Sequence, residues 1–234
     1  MQAIVLAGGL GTRLRRVVTD LPKPMAPVAG RPFLAWLLDR LAQAGFEPVV
    51  LAVGYRHEVI VQHFGHAYRG MALDYSVEEQ PLGTGGAIRL AADRIGAWPV
   101  FVLNGDTFLD LDYPAMLDAH LKGGEQMSLA VCRVPDAGRY GALDLRGGHV
   151  RGFLERGGGG PGVINAGTYL LSQGVLDRIP RGEPFSFEQQ LLVPDVSAIR
   201  PAAFATEGLF IDIGVPEDYA RAQQLFAQPG AAER

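Results

Sequence analysis

Residues 4–27 read IVLAGGLGTRLRRVVTDLPKPMAP, an apolar run that passes straight into Gly8, Gly9 and Gly11, then Arg13, with Lys23 held between Pro22 and Pro24. Small residues after a strand let several backbone N–H groups approach an anion with no side chain in the way. Glycine-rich turns also form for geometry alone. Length argues for more than geometry here, because structureless loops beyond about 12–15 residues are uncommon in compact domains unless they carry function. The stretch from Gly8 to the next helical pattern at Pro32 exceeds that span and is broken by Pro22, Pro24 and Pro27. Known phosphate loops do not match: G-x-x-x-x-G-K-[ST] is absent, and Leu14 stands where G-x-G-x-x-G needs its third glycine. Further on, Asp106 ends the apolar run VFVLNGD. A strand-end aspartate suits either a metal or a helix cap, and both readings stand.

These groups need a scaffold, and the sequence supplies one. Apolar runs alternate with helical patterns through the first half: strand 2–7, helix 32–44, strand 48–53, helix 56–64, strand 72–77, helix 85–95, strand 99–104 and helix 113–121. Continuous rather than alternating apolar strands predict a largely parallel sheet with helices on both faces. Pro32 suits a first helical position, and Gly45 suits the left-handed cap that ends the helix. In the second half SLAVCRV, GALDL, HVRGFLE and VINAGTYLL follow one another closely, which predicts antiparallel additions. Ser186 with Gln189 fits a capping box, and Pro216 with two acids behind it fits a helix start. The expected fold is α/β: a single-domain, Rossmann-like three-layer sandwich spanning 1–228, with residues 229–234 as a flexible tail.

Composition narrows the partners. A chain of 234 residues with 48% hydrophobic residues buries a core without staples. The net charge of −4 offers no general attraction for nucleic acid or acidic lipid, so a polyanionic ligand must meet local cations. Cys132 stands alone, which excludes an internal disulfide and suits a reducing compartment; its place in SLAVCRV reads as core. No apolar stretch approaches the ~18 residues of a membrane span, and MQAIVLAGG lacks a basic leader region. The expectation is a cytoplasmic protein, with a homo-oligomer left open.

The motifs carry a resemblance. LAGGLGTRL followed by LPKPMAPVAGRP is similar to the signature of the sugar-1-phosphate nucleotidyltransferases, and EEQPLGTGGA, NGD, RYGALDL, FLE, NAGTYLL and FIDIG follow in that family's order. Within the family, RLRRVVTDLPKPMAPVAGRPFL and EEQPLGTGGAI most resemble bacterial D-glycero-α-D-manno-heptose 1-phosphate guanylyltransferases.

The resemblance implies an NTP, GTP in the guanylyl branch, and a sugar 1-phosphate reacting to an NDP-sugar and pyrophosphate. It implies Arg13 at the leaving pyrophosphate, Lys23 at the α- and sugar phosphates, and Mg²⁺ held by Asp106 and Asp212. It places Leu6, Ala7, Gly8, Gly9, Gly11, Thr12, Glu79, Gln80, Gly83, Thr84 and Gly85 around the nucleotide, and Gly141, Glu155, Arg156 and Asn165 around the sugar. No side-chain base is needed, because the nucleophile is already an anionic phosphate. Two departures stand out: Arg156 replaces a usual lysine, and Arg16 stands where many relatives have proline.

Other signals read as structure. Asp110 and Asp112 form a D-x-D at a strand exit, where solvated turn residues are common. His57, His63 and His66 lack the further ligands of a zinc site, and Trp36 and Trp98 read as packing. The rival functions are the same transfer with mannose 1-phosphate and GTP or an amino-sugar 1-phosphate and UTP, a metal-dependent glycosyltransferase, and a non-catalytic nucleotide-sugar sensor.

Overall fold

A computed structural model describes residues 1–9, 21–154 and 159–228. In chain order the first half contains β1 (Ala3–Leu6), β2 (Pro27–Val28), β3 (Arg31–Pro32), α1 (Phe33–Gln43), β4 (Val49–Val53), α2 (His57–Phe64), β5 (Ala67–Tyr68) and β6 (Met71–Val77). It continues with α3 (Gly83–Ala91), β7 (Val100–Asn104), β8 (Thr107–Leu109) and α4 (Tyr113–Gly123). The second half holds β9 (Met127–Val134), β10 (Leu143–Arg146), β11 (His149–Phe153), β12 (Gly162–Leu171), α5 (Gln173–Leu176), α6 (Val196–Ile199), β13 (Ala202–Thr206), β14 (Phe210–Asp212) and α7 (Pro216–Phe226).

Among the described residues one ten-stranded sheet runs β10-β11-β13-β9-β12-β7-β1-β4-β6-β5. Its β7-β1-β4-β6 portion is parallel, as continuous apolar strands require when both faces are covered. Alternation then sorts the side chains. Val5, Leu51 and Val53 face α1, α2 and α4, whereas Ile4, Val50 and Ala52 face α3 and the later helices. The result is the expected three-layer sandwich.

The antiparallel part is not a separate addition. Strand β12 pairs antiparallel with both β7 and β9 and so joins the two halves into one mixed sheet, with β13 parallel to β9 beyond it. A smaller ribbon, β8 with β14, stands apart from the main sheet.

Local signals held with two adjustments. Helix α1 ends as expected: Gly45 has φ +75°, its N–H donates to Ala42 O, and Phe46 N–H donates to Leu41 O, the paired bonds of a glycine-ended helix. Its start is shifted, since Pro32 lies just outside as the cap. Ser186 Oγ accepts from Gln189 N at 3.2 Å, but in the return bond Ser186 N donates to Gln190 Oε1 at 2.7 Å, one residue beyond the expected Gln189. The wide π turn at Glu188–Leu192 accounts for that one-residue displacement.

Cys132 is buried in β9, and burial pushes its thiol up to about 11. Asp112 caps α4 by accepting from Ala115 N at 2.9 Å, and Asp110 pairs with Arg40 at 2.6 Å. The D-x-D is therefore structural. Trp36 packs against Phe226 and donates to Val28 O at 3.1 Å. No described helix is long and apolar enough to cross a membrane.

Candidate active site

Open α/β sheets bind ligands beyond the carboxyl ends of their parallel strands. Here β1, β4, β6 and β7 end beside one another in a cleft of about 1000 Å³. At one end of it lies Asp106, two residues past β7. Gly105 makes that position possible: its N–H donates to Leu6 O at 2.9 Å, and a Cβ there would sit 2.8 Å from the same oxygen.

Asp212 reaches the site from the far end of the chain. In the β8–β14 ribbon it pairs with Thr107, and Ile213 N donates to Asp106 O at 3.1 Å. The ribbon thus fixes the two aspartates as neighbours. Between them stands Lys23, in a single 3-10 turn spanning Lys23–Met25. Its ammonium hydrogen-bonds Asp106 Oδ2 and lies 3.6 Å from Asp212 Oδ1. Gly214 completes the fit, because a Cβ there would lie 2.9 Å from Asp212 Oδ1 and 3.3 Å from Lys23 Nζ.

Burial pushes the Asp212 carboxyl above the usual carboxylate range, and the neighbouring Asp106 charge adds to that, against the opposing pull of Lys23. Two converging carboxylates of this kind call for positive charge. They offer hard oxygen donors, and a small divalent ion such as Mg²⁺ takes one or two carboxylates and fills its remaining positions with water and phosphate oxygens. Among the described residues no third His, Cys, Asp or Glu joins them. The donor set therefore fits Mg²⁺ held jointly with a phosphate substrate.

At the other end of the cleft the floor is backbone. Gly8 and Gly54 face each other across β1 and β4: a Cβ on Gly8 would lie 3.2 Å from Gly54 N, and one on Gly54 would lie 3.3 Å from Gly8 O. Glu78 lies against Gly8 and accepts from Leu82 N at 2.9 Å, holding the start of the PLGTGG segment. Burial pushes its carboxyl up, and the Leu82 hydrogen bond opposes that rise.

Of the expected residues, Leu6, Gly8, Gly9, Lys23, Glu79, Gln80, Gly83, Thr84 and Asp106 line this cleft. Ala7 is instead buried, its N–H donating to Ala52 O at 2.8 Å. Gly85 turns away from the cleft: its N–H donates to Phe185 O at 2.8 Å, and a Cβ would meet the Phe185 ring at 2.6 Å. Gly85 and Gly86 of PLGTGG thus serve close packing against the segment around Phe185, while Gly83 also lines the cleft.

Gly141 and Asn165 also stand away from the lining. Gly141 has φ +85° in a turn, and Asn165 braces its own strand, accepting from Gly167 N at 2.9 Å and donating to Tyr169 Oη at 2.8 Å. Gly11, Thr12, Arg13, Arg16, Glu155 and Arg156 lie outside the described residues. The sequence reading missed Gly54, Tyr55, His57 and Asn104, which also line the cleft. All four stand at or just past the carboxyl end of a parallel strand, which is the signal that could have found them.

Comparison with known proteins gives the family. Residues 2–228 match the nucleotidyl transferase family. The chain is 40% identical to a D-glycero-alpha-D-manno-heptose 1-phosphate guanylyltransferase of Aneurinibacillus thermoaerophilus, covering 96% of this chain and 97% of that one. It is 41% identical to the Campylobacter jejuni protein of the same name, covering 94% and 97%. The crystal structure of HddC from Yersinia pseudotuberculosis complexed with GMP-PN superposes with a TM-score of 0.86 at 39% identity, over 96% of this chain and 99% of that one. With the family's match running almost end to end over a sheet whose strand ends gather a lysine and two aspartates, the chain belongs to the nucleotidyl transferase family and is a nucleotidyltransferase.

Proposed function

We propose that this protein transfers a guanylyl group from GTP to D-glycero-α-D-manno-heptose 1-phosphate, giving GDP-heptose and pyrophosphate for capsule or surface polysaccharide. The choice of base and sugar rests on the two heptose 1-phosphate guanylyltransferases at about 40% identity over nearly their whole length. The GMP-PN complex of the Yersinia homologue supports a guanine nucleotide. The observation that carries the reaction class is Lys23 between Asp106 and Asp212 at one end of the cleft.

The chemistry joins two anions: a sugar phosphate oxygen attacks the α-phosphorus of the nucleotide, and pyrophosphate leaves. At about 4 Å and an effective dielectric near 20, one cation–anion pair is worth roughly 4 kcal/mol before desolvation, so positioned cations decide whether the anions can meet. Lys23 is such a cation. Pro22 and Pro24 restrict its backbone, so less freedom is lost when the ammonium turns from its carboxylates to the α- and sugar phosphates.

Asp106 and Asp212 would hold Mg²⁺, which when bound neutralises charge on the phosphate oxygens. Arg13 takes the leaving pyrophosphate with its forked donors. Gly8, Gly9 and Gly83 bring backbone close to the nucleotide, and Glu79 and Gln80 offer acceptors and donors to the guanine edge. Glu155 and Arg156 hold the sugar and its phosphate.

The test is a grid of the four NTPs against heptose, mannose, glucose and amino-sugar 1-phosphates with Mg²⁺, read as pyrophosphate release. The heptose phosphate with GTP is expected to exceed every other pair; release from a different pair alone would replace this assignment.

A further inference from the structure

The cleft has an aromatic wall that the motifs above leave without a role. Tyr55 lines it and is 40% exposed, an unusual exposure for a large ring at the end of a buried strand. Its neighbours explain the placement. Strand β4 ends at Val53, and Gly54 O accepts from His57 N at 3.1 Å, closing a tight turn with Tyr55 and Arg56 at its tip. Arg56 takes φ +52°, a conformation uncommon for a residue with a Cβ and found where the surroundings hold it. The turn sends the chain into α2 and leaves the Tyr55 ring at the cleft instead of in the core.

Position along the sheet says what the ring meets. The strand ends run in the order β7, β1, β4, β6, and neighbouring strands lie about 4.8 Å apart. Asp106 and Lys23 mark the β7 end, so phosphates bound there put the rest of a nucleotide across β1 toward β4 and β6. Gly8 and Gly54 put no side chain of their own on that path, and the Glu78 carboxylate lies beside it. Beyond it the lining becomes Tyr55 in the turn after β4, Val77 at the end of β6, and Pro81. Val77 is in register with Val53 and, at 38% exposure, is a second apolar side chain open to the cleft.

We infer that Tyr55 is the stacking surface for the nucleobase, with Val77 and Pro81 completing an apolar slot whose rim carries Glu79 and Gln80. This deepens the nucleotide-transfer reading and rests on the phosphates lying at the Lys23 end. Division of labour follows: the ring holds the flat face of any base, while the rim reads its edge.

The experiment measures equilibrium binding of GDP and of inorganic tripolyphosphate to wild type, Tyr55→Ala and Tyr55→Phe in the presence of Mg²⁺. Stacking of a base on an aromatic side chain predicts that Tyr55→Ala weakens GDP about fivefold or more. Tyr55→Phe should stay close to wild type, because the ring and not the hydroxyl makes the contact. Tripolyphosphate, which has no base, should bind all three alike. GDP affinity unchanged in Tyr55→Ala, or tripolyphosphate weakened as much as GDP, overturns the inference, the latter by showing a general disturbance of the site. A wild type that binds GDP but releases no pyrophosphate from any NTP and sugar 1-phosphate overturns the transfer reading and leaves the Tyr55 result to stand on its own.

Discussion

Lys23 Nζ lies 3.6 Å from Asp212 Oδ1, which joins the glycine-rich N-terminal segment to the last strand of the chain. Because the same ammonium also bonds Asp106, one positive charge holds two carboxylates that would otherwise repel. That arrangement sets the first prediction.

Lys23→Ala and Asp106→Asn should each lower kcat by at least about 100-fold, the scale of losing a charge aimed at the transition state. Steady-state pyrophosphate release checks this, and near-normal turnover in either variant removes that residue from the chemistry. Lys23→Ala should also melt lower than wild type without metal and recover more on adding Mg²⁺, since a second cation then relieves the paired acids. Thermal scans with and without Mg²⁺ measure it.

Gly85→Ala should destabilise by about 1–3 kcal/mol, the usual cost of overpacking. The added methyl would meet the Phe185 ring at 2.6 Å and Phe185 O at 3.0 Å. For a domain of this size about 2–4 °C of melting temperature is lost per kcal/mol. An unchanged melting temperature would show that the segment around Phe185 moves aside freely.

Asp112→Ala should cost about 1 kcal/mol through loss of the α4 cap and leave kcat near wild type, because its Oδ1 is engaged by Ala115 N. A parallel loss of activity and stability is not expected. Turnover abolished with the melting temperature intact would restore the D-x-D as a metal site.

Acid sensitivity should come in part from His120. It is buried, its Nδ1 2.8 Å from Ser128 Oγ and its Nε2 3.3 Å from Ser172 Oγ, and burial holds its pKa below 6.5, with nearby Glu125 opposing. Below its unfolded pKa the unfolded chain therefore binds more protons than the folded one, so stability rises with pH through that window and is lost as pH falls. The advantage of wild type over His120→Gln should shrink between about pH 7 and pH 5. Parallel melting curves for the two proteins over that range would assign the acid loss elsewhere.

Much of the scaffold was legible in the residues. Strand and helix alternation is a local property, so β1, β4, β6, β7 and the helices between them fell close to their expected bounds. Gly45 and Pro216 marked helix ends for reasons contained in their own chemistry. Roles that depend on what packs alongside were not legible. PLGTGG looks like ligand-binding backbone, yet Gly85 and Gly86 are glycines because Phe185 and Glu183 press against them. Tyr55 and Gly54 carry no motif of their own and gain meaning only at a strand end beside Gly8.

By itself the sequence carried the alternating sandwich in its apolar periodicity, and its motifs carried the resemblance to the family that singles out Lys23, Asp106 and Asp212 as candidates. Tertiary structure decided that β12 would unite both halves in one sheet and that the β8–β14 ribbon would set Asp212 beside Asp106. Pairing between distant strands depends on register and packing across the whole fold, and neither is a property of any single segment.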